Sequence, residues 1–286
     1  MMSVLKYKSA ALKSAILGLT VVATAFAPIS AALAQAASEW RDLNAENTLV
    51  IDTNKGRVVV EMYPELAPQH VERMKTLTRQ GFYNGQKFHR VIEGFMAQTG
   101  DPQGTGEGGS TLPNVPGEFT IRHGADFPMV TASRPRGSQI GYLGVMPVQS
   151  QVQELIPIAK DGKVHAWGLY CSGVLGMARA GDNNSANSQF FLMRSYNAAL
   201  EKRYTAFGMT VQGLDVVRKL KIGEPPVDPD TMTKVQIMAD IPEADRPKVK
   251  VMNTSSKAFA DLIEKTRKEK GADFSACDIT VPTKVE

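Results

Sequence analysis

Two short segments combine polar side chains with large apolar ones in the alternating order of a β-strand. The first is 88–101 (FHRVIEGFMAQTGD), and the second runs from 176–179 (GMAR) to 188–191 (SQFF). The first segment offers one permanent cation, Arg90, and one amide, Gln98. Because alternate side chains of a strand share a face, such a set suits a pocket that grips an apolar, uncharged group.

The apolar residues of these segments also fit a simpler interpretation. Phe88, Val91, Ile92 and Phe190 alternate as the residues of a half-buried strand do, and the core of a β-structure is the favoured interpretation for all four. Arg90 differs, because an unpaired arginine is costly to bury. Its position leaves two alternatives, a solvated edge residue or a hydrogen-bond donor that the fold aims at a ligand.

Other chemistries find little support in the sequence. Residues 104–109 (GTGEGG) satisfy the dinucleotide pattern GxGxxG, but no βαβ unit surrounds them. The histidines are scattered, without the spacing of a metal site, and no GxSxG nucleophile turn occurs. We therefore expect no cofactor and no metal. The four histidines are His70, His89, His123 and His165.

The two segments resemble the signature stretches of the cyclophilin family of peptidyl-prolyl cis/trans isomerases. The similarity rests on the FHRVIxGFMxQxGD run, the GTG loop at 104–106, Met177-Ala178, the SQFF run and Phe207-Gly208. It extends over about residues 47–241, with an interruption. The resemblance implies a mainly β fold, a closed eight-stranded antiparallel barrel capped by two helices, which agrees with the element order below.

The resemblance also implies roles for individual residues. Arg90 becomes the catalytic side chain. The walls of a proline pocket become Phe95, Met96, Phe191, Leu200 and Tyr204. The groups that hold or line the path of the peptide become Gln98, Ala178, Arg179 and Gln189. Three positions depart from the common family pattern, because Ala199 stands where many members have tryptophan, Tyr204 where many have histidine, and Arg179 where many have asparagine. These departures leave substrate preference open.

The elements that must position these residues can be read from periodicity. A hairpin is predicted around the turn at 54–56, and helices are predicted from Pro68 to Gln80 and at 214–222. Further strands are predicted at 88–97, 189–193 and 234–241. This order lacks the βαβ alternation of a parallel sheet and favours an antiparallel sheet or barrel.

The chain divides into two predicted parts after an initial segment. An isomerase-like domain is expected at 35–246, with a long loop insertion at about 120–172 in which 145–158 and 163–170 are the likeliest extended pieces. A C-terminal extension at 247–286 should contain a short helix that begins near Ser256, with Glu264 and Lys268 spaced for an ion pair.

Residues 1–34 have the features of a cleaved export signal. Three lysines precede an apolar run at 15–27, and a small-residue site follows at 32–34. The whole chain of 286 residues has a net charge of +4, but without this segment 30 basic residues face 29 acidic ones. We therefore expect a periplasmic or secreted protein, with no nucleic-acid partner and no stable membrane insertion after cleavage.

An exported destination permits a disulfide between the two cysteines, Cys171 and Cys277. The sequence leaves two alternatives open, a pair or two free buried thiols, because it contains no distance between them. The expected activity is rotation of X-Pro bonds, with proline-containing peptides and unfolded exported proteins as partners. The alternatives are a non-catalytic proline-peptide binding module and a chaperone-like module on the same barrel.

Overall fold

The computed structural model describes residues 38–285, and their secondary structure is mainly β. The predicted signal segment at 1–34 lies outside the described residues. The strands are Trp40–Asp42 (β1), Thr48–Thr53 (β2), Gly56–Met62 (β3), Arg90–Val91 (β4), Met96–Thr99 (β5), Ile121–His123 (β6), Met129–Ser133 (β7), Ser138–Leu143 (β8), Met146–Gln151 (β9), Val164–Gly168 (β10), Val174–Met177 (β11), Phe190–Met193 (β12), Ala206–Gln212 (β13), Met232–Ile237 (β14), Val249–Met252 (β15) and Thr283–Val285 (β16). The α-helices are Pro68–Arg79 (α1), Leu214–Lys219 (α2) and Lys257–Lys270 (α3).

The largest sheet has eight strands, all paired antiparallel, in the order β14-β2-β3-β13-β11-β12-β5-β4. The predicted eight-stranded antiparallel sheet and its opening hairpin, β2 with β3, are confirmed. The predicted closure of this sheet into a barrel is wrong, because no ladder joins its end strands β4 and β14. β4 is only two residues long, since a turn at 92–95 begins directly after Val91. The two ends are linked instead by backbone hydrogen bonds between 85–88 and 230–232.

Two helices pack on this sheet, as predicted. The apolar residues of α1, Val71, Met74 and Leu77, are almost completely buried, and the helix packs against β14. α2 packs against β3 but ends at Lys219, three residues earlier than predicted. The backbone turns extended at Leu220, and the N–H of Lys221 donates to a carboxylate oxygen of Asp230 instead of continuing the helix.

The segment predicted as a loop insertion forms a second antiparallel sheet. Its order is β6-β10-β9-β8-β7, so where the sequence predicts loops with at most a hairpin, five strands pair. The backbones of β7 and β8 approach closely, which explains in part why β8 was not predicted as a strand. A Cβ on Gly141 would lie 2.0 Å from the carbonyl oxygen of Val130, so a glycine that looks like a loop residue is required inside β8.

The first strand of the C-terminal extension pairs with the first described strand and with the last one. β15 lies between β1 and β16 in a third sheet, and α3 begins after Ser256, whose hydroxyl accepts from the N–H of Phe259. The predicted helix is therefore confirmed, as is its ion pair, with Lys268 Nζ 2.6 Å from Glu264 Oε1. A disulfide joins Cys171 to Cys277, which decides between the two alternatives left open by the sequence.

Candidate functional site

A cleft of about 550 Å³ opens over the β4, β5 and β12 end of the large sheet. Nine of the ten predicted site residues line it, and the tenth, Gln189, lines an adjoining depression. The nine are Arg90, Phe95, Met96, Gln98, Ala178, Arg179, Phe191, Leu200 and Tyr204. Residues that are up to 114 positions apart in sequence are thus brought together by strand pairing.

The register of three strands explains why these particular side chains meet. Arg90 on β4 lies opposite Gln98 on β5, and Gln98 lies opposite Phe191 on β12. Residues that face each other across antiparallel strands project to the same side of the sheet. A cation, an amide and an aromatic ring therefore form one row across the sheet, with the cation at its edge.

Hydrogen bonds connect the polar residues of this row to a glycine-rich loop. Arg90 Nη1 donates to Gln98 Oε1 at the long distance of 3.5 Å, and Gln98 Nε2 donates to Gln189 Oε1 at 2.8 Å. Gln189 Nε2 in turn donates to the carbonyls of Gly106 and Gly108, at 2.9 and 2.7 Å. Both amide side chains are therefore oriented before any ligand binds.

The glycine-rich loop is folded around one buried carboxylate, that of Asp101. Its oxygens accept from the N–H groups of Gln103, Thr105 and Gly106 at 2.7–2.9 Å. Position 108 requires a glycine, because a Cβ at this position would collide with the Asp101 carboxylate. Burial alone would raise the pKa of Asp101, but these backbone donors outweigh it and hold the pKa below the ordinary 3.8.

We expect Asp101→Asn to destabilise the protein by about 2–3 kcal/mol at pH 7, because charge-assisted hydrogen bonds to a buried carboxylate are lost. Since the folded-state pKa is depressed, this stabilisation is present above the ordinary pKa and disappears as the pH falls through the folded value. Urea unfolding should therefore show a gap between wild type and variant that is full at pH 7 and narrows below about pH 4. Glu107→Gln, an exposed change on the same loop, is the control. A gap that is independent of pH would contradict the assignment.

The apolar part of the cleft is a set of packed, mostly buried side chains. Phe191 is 4% exposed, Met96 2% and Leu200 9%. Phe191 stacks on Tyr170, with ring centroids 6.0 Å apart, and meets Tyr204 edge-on at 6.2 Å. The walls are therefore held by the core behind them and can receive a compact apolar group without rearrangement.

Arg179 is bound mainly to its own protein. Its Nε donates to the carbonyl of Arg203 at 3.0 Å, and its guanidinium lies 4.5 Å from the Tyr204 ring centroid and 5.5 Å from that of Phe119. The guanidinium thus contacts both Tyr204 and Phe119, and Phe119 precedes β6. Ala178 is similarly occupied, because its N–H donates to the carbonyl of Gln189.

The cleft is also lined by six residues that the sequence did not predict as site residues. They are His89, Thr105, Gly106, Glu107, Glu224 and Pro225. His89 is buried, and burial lowers its pKa, so its ring is neutral near pH 7. Glu224 had no sequence signal, because it lies 134 positions from Arg90 and in no quoted motif.

The arrangement can hold an apolar ring against the Phe191 wall while a cation and two amides address the polar atoms beside it. Within residues 38–285 no group of three or more His, Cys, Asp or Glu side chains is placed to hold a metal ion. Over the same range no helix is long and apolar enough to cross a membrane.

Comparison with known proteins agrees with this geometry. The family model for cyclophilin type peptidyl-prolyl cis-trans isomerases matches residues 48–239. A probable peptidyl-prolyl cis-trans isomerase of Brucella suis is 34% identical over 236 residues, covering 77% of this chain and 95% of the relative. A crystal structure of the cyclophilin AquaCyp293 from Hirschia baltica superposes with a TM-score of 0.79 at 35% identity, covering 86% of this chain and 93% of the other.

Proposed function

The chain belongs to the cyclophilin family of peptidyl-prolyl cis-trans isomerases, and on that premise we propose that Arg90 supplies the transition-state stabilisation in this protein. An X-Pro bond resists rotation because its nitrogen shares a lone pair with the carbonyl, which gives a barrier of about 18–20 kcal/mol. In the twisted transition state that sharing is lost, and the nitrogen becomes a better hydrogen-bond acceptor.

A guanidinium aimed at this nitrogen binds the twisted form more tightly than either planar form. Catalysis requires only this difference in binding. Arginine suits the task because its planar fork is charged at every working pH. The observation that carries the proposal is the position of Arg90, which shares one cleft with the packed apolar wall of Phe191, Met96 and Leu200.

The other cleft residues receive supporting roles in this proposal. Phe95, Met96, Phe191, Leu200 and Tyr204 hold the proline ring. Gln98 and Gln189, already oriented by hydrogen bonds, bind the peptide backbone. Arg179 acts chiefly through its contact with Tyr204, since its Nε and Nη1 donate to backbone carbonyls.

We further propose that the protein works outside the cytoplasm, on exported proteins whose X-Pro bonds isomerise slowly. The signal-like segment at 1–34 motivates this location, and the disulfide between Cys171 and Cys277 supports an oxidising compartment. Uncatalysed isomerisation takes on the order of tens to hundreds of seconds, slow enough to limit folding.

We expect Arg90→Ala to lower kcat/KM for isomerisation of a short X-Pro peptide by about tenfold or more, a loss of at least about 1.4 kcal/mol of transition-state stabilisation. Arg90→Lys keeps the charge but loses the fork, so its loss should be smaller. Arg122→Ala removes an exposed arginine on the inserted sheet, where it pairs with Asp161, and should leave the rate unchanged.

Two outcomes would overturn the assignment. A folded Arg90→Ala protein with the full rate would remove Arg90 from the mechanism. A folded wild type that binds proline peptides and gives no acceleration would favour the binding module over the enzyme.

A further inference from the structure

The loop after α2 runs alongside the exposed edge of β4. Gly223 and Val91 exchange two backbone hydrogen bonds, from Val91 N to Gly223 O at 2.8 Å and from Gly223 N to Val91 O at 2.9 Å. This is an antiparallel bridge, so the residue after Gly223 lies opposite the residue before Val91. The two residues placed face to face are Glu224 and Arg90.

Their side chains form an ion pair at the mouth of the cleft. Arg90 Nε donates to Glu224 Oε2 at 2.6 Å, and the two side chains are 40% and 52% exposed. A solvent-exposed pair of this kind contributes little to folding stability. The Arg90–Glu224 pair can instead act by setting the position of the Arg90 guanidinium.

Two of the three guanidinium nitrogens of Arg90 contact other side chains of the protein. Nε is taken by Glu224, and Nη1 lies within 3.5 Å of Gln98 Oε1. Across the part of the chain that the structure describes, Nη2 of Arg90 has no hydrogen-bond partner. Nη2 shares the Nε edge of the guanidinium, where Glu224 lies, so the Nη2 hydrogen that points away from this edge is left to donate to a ligand.

The loop that bears Glu224 is itself held at both ends. The buried carboxylate of Asp230 accepts from the N–H of Lys221, and Lys221 Nζ also contacts the carboxylate of Asp228. Gly223 has a φ of +155°, and a Cβ there would lie 2.4 Å from Cα of Pro226. These constraints present Glu224 at a defined place beside β4.

We propose that Glu224 is a positioning residue for the isomerase reaction. It holds the guanidinium of Arg90 by Nε so that Nη2 faces the prolyl nitrogen in the twisted state. This inference rests on the proposed role of Arg90, and it assigns Glu224 no contact with substrate.

The test is a double-mutant cycle between the two residues. Glu224→Ala should lower kcat for a short X-Pro peptide by roughly threefold to tenfold with little change in KM, less than the hundredfold that a misplacement of about 1 Å can cost. Glu224→Gln keeps an acceptor and should recover part of the rate. In the Arg90→Ala background, Glu224→Ala should have no further effect.

The matched control is Asp161→Ala, which breaks the exposed pair with Arg122 and should leave kcat unchanged. Thermal midpoints of the Glu224 variants should equal the wild-type midpoint. If Glu224→Ala lowers kcat equally with and without Arg90, or leaves it unchanged while Arg90→Ala is impaired, the inference is overturned and the proposed function stands. If Arg90→Ala is itself fully active, the proposed function fails first.

Discussion

Replacing both cysteines by alanine should lower the free energy of unfolding by about 4–5 kcal/mol. The disulfide closes a loop with a sequence separation of 106, and in the chain-entropy model a loop of about 100 residues yields stabilisation of this size. Cys171 is buried beside Tyr170, which supports the Phe191 wall, whereas Cys277 lies in the extension. The bond thus ties the extension to the chain behind the cleft.

The measurement is chemical unfolding with and without a thiol reductant. The reductant should shift the midpoint of the wild type and leave that of the Cys171→Ala, Cys277→Ala variant in place. A folded domain has a total stability of about 5–15 kcal/mol, so the variant remains folded at 25 °C unless the wild type lies at the low end of this range, and the isomerase rate of the folded variant can then be compared directly. Equal midpoints for oxidised wild type and variant would contradict the expected stabilisation.

The second large effect is expected at Glu61, a buried carboxylate that is not among the residues lining the cleft. Arg41 donates to both its oxygens at 2.7 Å, and the Tyr63 hydroxyl donates to Oε2 at 2.5 Å. Tyr63 in turn accepts from the N–H of Val145 at 2.8 Å, which joins β3 to the turn between β8 and β9. Burial, followed by the charge of Glu61, raises the pKa of Tyr63 well above its ordinary value, so the hydroxyl stays protonated.

Glu61→Ala should cost about 3–5 kcal/mol, because removing one member of a buried pair leaves the others desolvated without a partner. The low end is expected, since the Arg41 side chain is 28% exposed and can be partly hydrated. Glu61→Gln keeps one acceptor and should cost less. Glu65→Ala, at an exposed site nearby, is the control, and a thermal or urea midpoint for Glu61→Ala equal to that control would show that the cluster carries no net stability.

The large sheet was predictable because its elements carry strong local signals. The hairpin of β2 and β3 follows from β-branched residues around a glycine turn, and α1 follows from apolar residues three positions apart. Most of the candidate site was predictable for a different reason. Arg90, Gln98 and Phe191 stand in short runs whose residue order is specific enough to indicate a family.

The inserted sheet was missed because its strands lack a local signal. β8 contains a glycine that the backbone of β7 requires. Tyr142 packs edge-on against Phe259 and donates to the carbonyl of Ala276, both more than a hundred residues later in the chain. Burial of this kind is a property of the assembled chain. No window of sequence contains both partners.

The amino-acid sequence by itself determined the family, the strand-rich core, the helices α1 and α3, and nine of the residues that line the cleft. Those features depend on periodicity, capping and residue order, which are local. Tertiary structure alone decided that the sheet ends join by bridges instead of a ladder, that Cys171 meets Cys277, and that Glu224 faces Arg90. Each of these depends on a distance between residues far apart along the chain, and such a distance exists only after the strands have paired.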